Sequence, residues 1–455
     1  MPQRCFDVHA DGDYDVMVVG GGTTGIAAAL AAAREGARTA LVEALGFLGG
    51  NSAAVPAWLG FHDGVGERVV GGIAQEIVER LQRRKGATPV YTDPICGSVV
   101  GIDLSAWKLL ALEAVREAGV DTLLHSRAVA VDLKGPAVCA VLCMDRAGLR
   151  RLGARAVVDC TDAGDVVRAA GGRLRRGRES DGLMQVASWT FAVEGVNFPA
   201  LFDHYRRVPG DIRPFPGVDG GERLRRMASD EVFVIGSFRS LIARARREGM
   251  SLPRDIFPGV AFPRLGRVFS VATRVEEADP LDARSLTRAE FAGAGQVPLW
   301  LDFLRRYVPG FQDCRLAWTP HQIGLRETCH TEGDYTLTAD DLMAGRQFDD
   351  AIARGGYHMD VHPPDHAGLD TRRPPAYTIP YRCLLPRGIQ GLLVAGRCIS
   401  ATHEAMASTR VIPIGMALGQ AAGVAAALAA RSGVEPRAVP VALLQARLRE
   451  ADALL

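Results

Sequence analysis

The chain has 455 residues, more than one ordinary core accommodates, so two structural units are expected. Hydrophobic residues at 48% and charged residues at 23% place it among globular proteins, and a net charge of +1 sets up no overall field for nucleic acid or an acidic partner. Nine cysteines are scattered with no Cys-x-x-Cys pair and no zinc spacing, which argues against a structural zinc site and a dithiol redox centre and leaves free, buried thiols. The opening MPQRCFDVHADGDYD has no apolar run, so no signal peptide is expected and the chain is read as cytoplasmic.

Residues 15–19 (DVMVV) read as a short apolar strand, 24–36 as a helix closed by Gly36, and 38–43 as a second strand. A glycine-rich loop follows at 46–54, then a helix at 72–84 with apolar residues at helical spacing. Asp103 or Ser105 can cap a helix running to about Ala118. From 122 to 160, short β-rich segments broken at Lys134-Gly135-Pro136 and Ala147-Gly148 predict a small meander and a final apolar strand at 156–159. Prolines and arginines become frequent from 173 to 375, which predicts a separate, substrate-facing unit of mixed structure. Strand-then-helix character returns at 392–395 and 411–430. The expected organisation is therefore 1–172 and 376–455 forming one domain, with 173–375 inserted into it. The alanine-rich run 411–430 has Gly415, Gly419 and Gly423 four apart, a membrane helix-packing spacing, but Gln420 and the missing aromatic belts favour a buried soluble helix, and no membrane span is expected.

Gly20, Gly22 and Gly25 are spaced Gly-x-Gly-x-x-Gly directly between the first strand and the first helix. The first permits a tight turn, the second lets a pyrophosphate approach the backbone, and the third lets helix and strand pack closely. The helix start, with Thr24 in its first turn, offers free N–H groups to phosphate. Glu43 ends the second strand, where a carboxylate accepts hydrogen bonds from an adenosine ribose. Three further features select FAD over NAD. Gly50, Asn51 and Ser52 lie in a small-residue loop able to follow an extended cofactor. A second strand ending in an acid, Asp159, leads into a small polar turn containing Asp162. A distant strand and Gly396-Arg397 lead to a second helix beginning near Gly415, whose start can face the flavin edge where charge builds up on reduction.

These residues resemble the FAD-dependent oxidoreductases related to fumarate reductase and succinate dehydrogenase flavoproteins. The likeness covers 15–54, 128–172 and 377–430, and reaches GLRET at 324–328 and ARGGYHMDVH at 353–362. It implies an α/β fold: a Rossmann-like FAD-binding domain with a β-meander and an inserted α+β substrate domain. It further implies that the backbone near Val129 meets the adenine, that Gly396-Arg397 lies near the ribityl-pyrophosphate, and that Gly415 and Met416 lie beside the flavin. The chain departs from the family at Cys329, where a basic residue is common, and at Thr161-Asp162-Ala163, where Thr-Gly-Asp is common. No histidine sits in the Gly50-Asn51-Ser52 loop, so non-covalent FAD is expected.

Moving a hydride requires groups that position a carbon, handle a proton and steady developing charge, tasks suited to histidine and arginine. Arg410, just before the C-terminal helix, is the first candidate. Arg326 is a second, unless it pairs with its neighbour Glu327. His403-Glu404 offers a base with an orienting acid, and His62-Asp63 follows the glycine loop. His358, His362 and His366 are four apart, but Pro363 and Pro364 interrupt any helix, so substrate contact by His358 or His362 is expected rather than metal binding. Arg382, Tyr357 and Tyr377 complete the set. Gly293-Ala294-Gly295 lacks a third glycine and is followed by Pro298, so no second dinucleotide fold is read there. The expected partner is a small-molecule substrate, with an electron partner left open and no nucleic acid. The rivals are an oxidase or monooxygenase using oxygen, a flavin-containing tRNA-modifying protein, which salt-dependent RNA binding would reveal, and a non-catalytic flavin-binding scaffold, whose flavin no substrate would reduce.

Overall fold

A computed structural model describes residues 7–212 and 219–455; Cys5 and the rest of 1–6 lie outside them. The strand β1 (Val8–Val19), helix α1 (Thr23–Arg34) and strand β2 (Thr39–Val42) form the expected βαβ unit, with β1 and β2 parallel and Val16 beside Thr39. Strand β3 (Asp121–Leu123) extends the sheet parallel to β2. Strands β4 (Arg127–Lys134), β5 (Ala137–Asp145) and β6 (Gly148–Asp159) are an antiparallel meander.

The apolar stretch 156–159 is the end of the twelve-residue β6 rather than a strand of its own. It runs parallel to β1 over 149–159, with an irregularity between Ala10 and Asp13; its first half also pairs with β5 and its last residues with β7 (Leu392–Val394). One long strand thus joins meander and parallel sheet, and β7 completes that sheet from the far end of the chain. Every residue of Val16–Val18, Ala156–Val158 and Leu393–Val394 is fully buried. Both faces of the parallel strands are covered, which is why they read as continuous apolar runs.

The C-terminal helix α2 (Ile412–Ser432) lies against α1. A Cβ on Gly419 would stand 2.1 Å from the Thr24 carbonyl oxygen, and one on Gly423 would stand 2.1 Å from that of Ala28. The four-residue glycine spacing is therefore the seam where two helix backbones touch. This helix is long and apolar enough to cross a membrane, but 89% of its apolar window is buried inside the protein. Gln420 is its polar exception: its side-chain oxygen accepts from Ile73 N at 2.9 Å and ties α2 to the start of the helix Gly72–Arg83.

A second, five-stranded antiparallel sheet is built from Phe191–Glu194, Phe233–Ser237, Phe257–Phe262, Arg267–Ser270 and Arg315–Trp318. It has its own core, in which Phe191, Phe257, Trp300 and Phe303 meet. The Gly293–Pro298 segment lies inside the long helix Ala283–Tyr307, which runs straight through Pro298. The buried Val297, Trp300, Phe303 and Leu304 hold the helix together across the donor that proline lacks. A small sheet of Ala57–Leu59, Tyr91–Asp93 and Gly97–Gly101 meets the five-stranded sheet through Ala57, Val99, Val260 and Phe262. Leu337, Leu342, Ile352 and Ala353 pack into the first core together with α1 and α2.

Candidate functional site

Strands β1, β2, β6 and β7 bring their carboxyl ends, Val19, Val42, Asp159 and Val394, to one edge of the sheet. That edge of an open α/β sheet is where ligands bind. A cavity of about 1040 Å³ opens there and continues to the second sheet, where Thr190, Val260 and Phe269 line it. It is as large as the biggest small-molecule sites, roughly 1,000 Å³, as an extended dinucleotide requires.

The glycine turn is shaped as its spacing implies. Gly20 has φ +101°, and a Cβ there would stand 2.4 Å from the Cys160 carbonyl oxygen. A Cβ on Gly25 would stand 1.8 Å from the Gly20 carbonyl oxygen, so α1 rests directly on the turn. A Cβ on Gly22 would meet nothing within 4 Å. Gly22 borders the cavity, and its bare Cα leaves room there for a pyrophosphate against the backbone. Gly49 N donates to Gly21 O at 2.8 Å, folding the glycine-rich loop back onto the turn and bringing Gly50, Asn51 and Ser52 to the cavity wall.

Glu43 also lines the wall, but its oxygens already accept from Gly21 N at 2.6 Å and Leu45 N at 2.7 Å. It braces the turn, and it stands on the wall where the ribose is expected. Thr24, Val129, Asp162, Gly396, Arg397 and Gly415 complete this part of the wall. Asp162 and Arg397 form a bidentate ion pair with each other, and Arg397 also donates to the Leu325 carbonyl. Asp162 has φ +80°. It stands where the resembling family commonly has glycine, and its pairing with Arg397 accompanies a left-handed conformation that costs about 1–2 kcal/mol. Asp159 is fully buried behind this turn, accepting from Thr161 N, Val166 N and Val167 N, so the acid at the end of β6 organises the turn from within. Gly25 and Met416 are off the wall: Gly25 packs on the turn, and Met416 is fully buried in the core. These residues fit an FAD: an open glycine cradle, a helix start, and small-residue segments from three distant parts of the chain on one cavity.

The far end of the cavity holds Arg326, Tyr357, His358, Asp360, His362 and Arg410. His358, Asp360 and His362 flank or lie within the strand Met359–Val361, and in extended chain residues two apart share a face. Asp360 Oδ2 accepts from His362 Nε2 at 3.0 Å and from Arg410 Nη2 at 3.1 Å, and Oδ1 lies 3.7 Å from His358 Nε2. Burial works to raise the Asp360 carboxyl, but the two imidazoles outweigh it and hold it well below its ordinary range. Burial and the nearby Arg326 push His362 well below the usual imidazole range, so it is neutral and donates its Nε2 proton to Asp360. Period-two alternation, not the four-residue histidine spacing, was the signal for Asp360. His366 stands apart, half-exposed beside Asp370. Among the described residues, no group of three or more His, Cys, Asp or Glu side chains could hold a metal ion.

Arg326 and Glu327 do not pair. Arg326 Nη1 donates to Val186 O at 2.7 Å and to Ser188 Oγ at 2.8 Å. Glu327 faces away from the cavity, between His330 Nε2 and His403 Nδ1, each at 2.8 Å, and accepts from Gln185 N at 2.8 Å. His403 therefore belongs to a buried cluster behind the wall, off the cavity. His62 is also off the wall; burial, with Arg68 near, lowers its pKa. Arg382 pairs with Asp350 elsewhere, and Tyr377 is buried on Ser408.

Burial would raise the Glu327 carboxyl, yet its histidine bonds bring it down to about 2 from an ordinary 4.5. The stability this carries, about 3 kcal/mol, is fully present above about pH 4.5 and fades as pH falls towards 2. Glu327→Gln is expected to lower the melting temperature at pH 7 and to flatten its fall between about pH 5 and 3. Thermal melts across that range check it; parallel curves for the two proteins would refute it.

The sequence matches the family model described as FAD dependent oxidoreductase over residues 15–448. No curated protein matches it. Among solved structures it is similar to a geranylgeranyl bacteriochlorophyll reductase-like protein of Thermoplasma acidophilum, at 12% identity and a TM-score of 0.46, over 97% of this chain and 84% of that one. It is also similar to a myxobacterial chondrochloren halogenase, at 13% identity and 0.47, over 97% and 79%. A third is a p-nitrophenol 4-monooxygenase of Pseudomonas putida, at 13% and 0.44, over 97% and 81%. Likenesses this distant transfer no activity. The match stands at the level of the FAD dependent oxidoreductases, broader than the fumarate reductase and succinate dehydrogenase branch.

Proposed function

The chain belongs to the FAD dependent oxidoreductase family, and on that premise we propose that it moves a hydride between a small organic substrate and non-covalently held FAD. The observation that carries this reading is the single cavity joining the glycine turn to the Arg326, His358, Asp360 and Arg410 cluster. Gly20, Gly22, Thr24, Glu43, Gly50, Asn51, Ser52, Val129, Asp162, Gly396, Arg397 and Gly415 would hold the cofactor, which when bound supplies the hydride acceptor or donor. Residues 1–172 and most of 376–455 serve the cofactor, and 173–375, whose Leu337–Ala353 stretch packs into the first core, meets the substrate together with Arg410.

Arg410 precedes α2 by two residues and borders the same cavity as Gly415. Asp360 fixes its guanidinium. A held cation of this kind steadies charge that develops during transfer without having to reorganise. His358, packed on Tyr357 with ring centres 4.2 Å apart, lies beside Asp360 and can hold a proton there.

The test is anaerobic addition of small organic donors, class by class, to the yellow holoprotein. One class is expected to bleach the flavin. Arg410→Gln should keep its FAD and bleach roughly 100-fold more slowly. A flavin that no donor class reduces, or an Arg410→Gln variant as fast as wild type, would contradict the reading.

A further inference from the structure

Arg326 is 8% exposed, yet among the described residues it has no carboxylate partner. The acids on the cavity wall are engaged elsewhere: Glu43 with backbone N–H groups, Asp162 with Arg397, Asp165 with Arg168, and Asp360 with Arg410. Burial, with the charges of Arg254 and Arg410 close by, pushes the Arg326 guanidinium well below its ordinary range. Arg254 is itself 1% exposed and, among the described residues, hydrogen-bonds only the Thr273 carbonyl, at 3.4 and 3.5 Å. Arg326 thus has two further guanidiniums, those of Arg254 and Arg410, close enough to act on it, and Asp360, the carboxylate near it, is already paired with Arg410. An uncompensated buried charge costs several kcal/mol, and a protein keeps such an arrangement where a ligand supplies the counter-charge.

The geometry of the charge is as informative as its sign. Nη1 of Arg326 is used twice, by Val186 O and Ser188 Oγ. Among the described residues Nε and Nη2 make no hydrogen bond, and Arg326 lines the cavity. Nε–H and Nη2–H lie side by side on one edge of the planar group and point the same way, the spacing that matches the two oxygens of a carboxylate. Arg410 does not offer a second such edge of unspent charge, because Asp360 already neutralises it through Oδ2. Arg254 is not on the wall.

We propose that the Nε–Nη2 edge of Arg326 binds the carboxylate of the substrate, and that the substrate carries one carboxylate only. A second carboxylate would meet Asp360 and an arginine already paired to it. This rests on the hydride-transfer reading for the word substrate, but the anion site itself can be tested without turnover.

Acetate and formate, small enough for any pocket that admits a carboxylate, are titrated into the FAD-loaded protein at fixed ionic strength, with acetamide as the neutral counterpart and succinate as the dianion. The readouts are the visible flavin spectrum and the melting temperature. Acetate and formate are expected to saturate, acetamide to do nothing, and succinate to bind no more tightly than acetate. Arg326→Gln should retain FAD and weaken acetate about 100-fold. Its unliganded melting temperature should stay level or rise, because a strained buried charge has been removed; Arg326→Lys should bind acetate at intermediate strength. If acetate and acetamide act alike, or Arg326→Gln binds acetate as wild type does, the anion site is wrong. Succinate binding far more tightly than acetate would overturn the single-carboxylate claim. Arg326→Gln losing FAD or melting well below wild type would make Arg326 a structural residue and overturn the assignment. These failures differ from that of the hydride-transfer reading, in which acetate binds but no donor bleaches the flavin.

Discussion

Gly22→Val is expected to give a folded, colourless protein. The Gly22 side-chain position is open, with nothing within 4 Å, and its φ of −66° is one valine adopts. The substitution therefore costs the fold little. The isopropyl group instead fills the space beside the start of α1, where the backbone must approach a pyrophosphate. FAD affinity should fall by at least about 100-fold, equivalent to ~2.7 kcal/mol. Flavin absorbance per purified protein and retention of helical circular dichroism check it together. Gly25→Val makes the contrast: its Cβ would stand 1.8 Å from the Gly20 carbonyl, so it should lose both fold and cofactor. A yellow Gly22→Val protein would move the cofactor away from the glycine turn.

Asp360→Ala is expected to be the most destabilising change at the other end of the cavity. Among the described residues Asp360 is the one acid that touches Arg410 and His362, and Arg326 and Arg254 lie close enough to feel its charge. Removing it leaves Arg410 without its carboxylate and takes from Arg326 and Arg254 the charge of Asp360. Breaking a buried pair by deleting one partner costs about 3–5 kcal/mol. Asp360→Asn, which keeps an acceptor but not the charge, should fall between. The depressed Asp360 carboxyl contributes stability that is present above about pH 4 and lost only at lower pH, so the difference from Asp360→Asn should be full at pH 7 and shrink in acid. Chemical denaturation at the two pH values measures this. Equal stabilities of wild type and Asp360→Ala at pH 7 would show that the arginines are compensated in some other way.

The glycine-turn half of the cavity was legible in the sequence because its determinants are local or repeat a simple pattern. Strand, glycines, helix, strand and acid follow one another within 15–43, and each performs a short-range task that the chain order already specifies. Met416 shows the limit of that reading: adjacent to Gly415, it is turned by one helical step into the core and is fully buried. The end with Arg326, Asp360 and Arg410 was harder. Pro363 and Pro364 already ruled out a helix across His358, His362 and His366, but only the extended chain around Met359–Val361 shows that Asp360 is the residue the first two share. Arg326 and Glu327 looked like a pair because they are neighbours. Their side chains face opposite ways, and Glu327 meets His403, 76 positions later, a contact with no periodic signature. The same holds for Asp162 and Arg397, which lie 235 positions apart. The packing of Leu337 to Ala353 into the first core was likewise hidden, because short apolar stretches between loops do not say which of two cores they join.

The most direct test of a hydride-transferring flavoprotein with its substrate at the Arg326–Arg410 end is anaerobic bleaching of the bound flavin by a monocarboxylate donor and by the same donor deuterated at the reacting carbon. The account predicts bleaching that saturates with donor, slows several-fold on deuteration, and is lost in Arg326→Gln although FAD stays bound. Bleaching with no isotope effect and no dependence on Arg326 would contradict it.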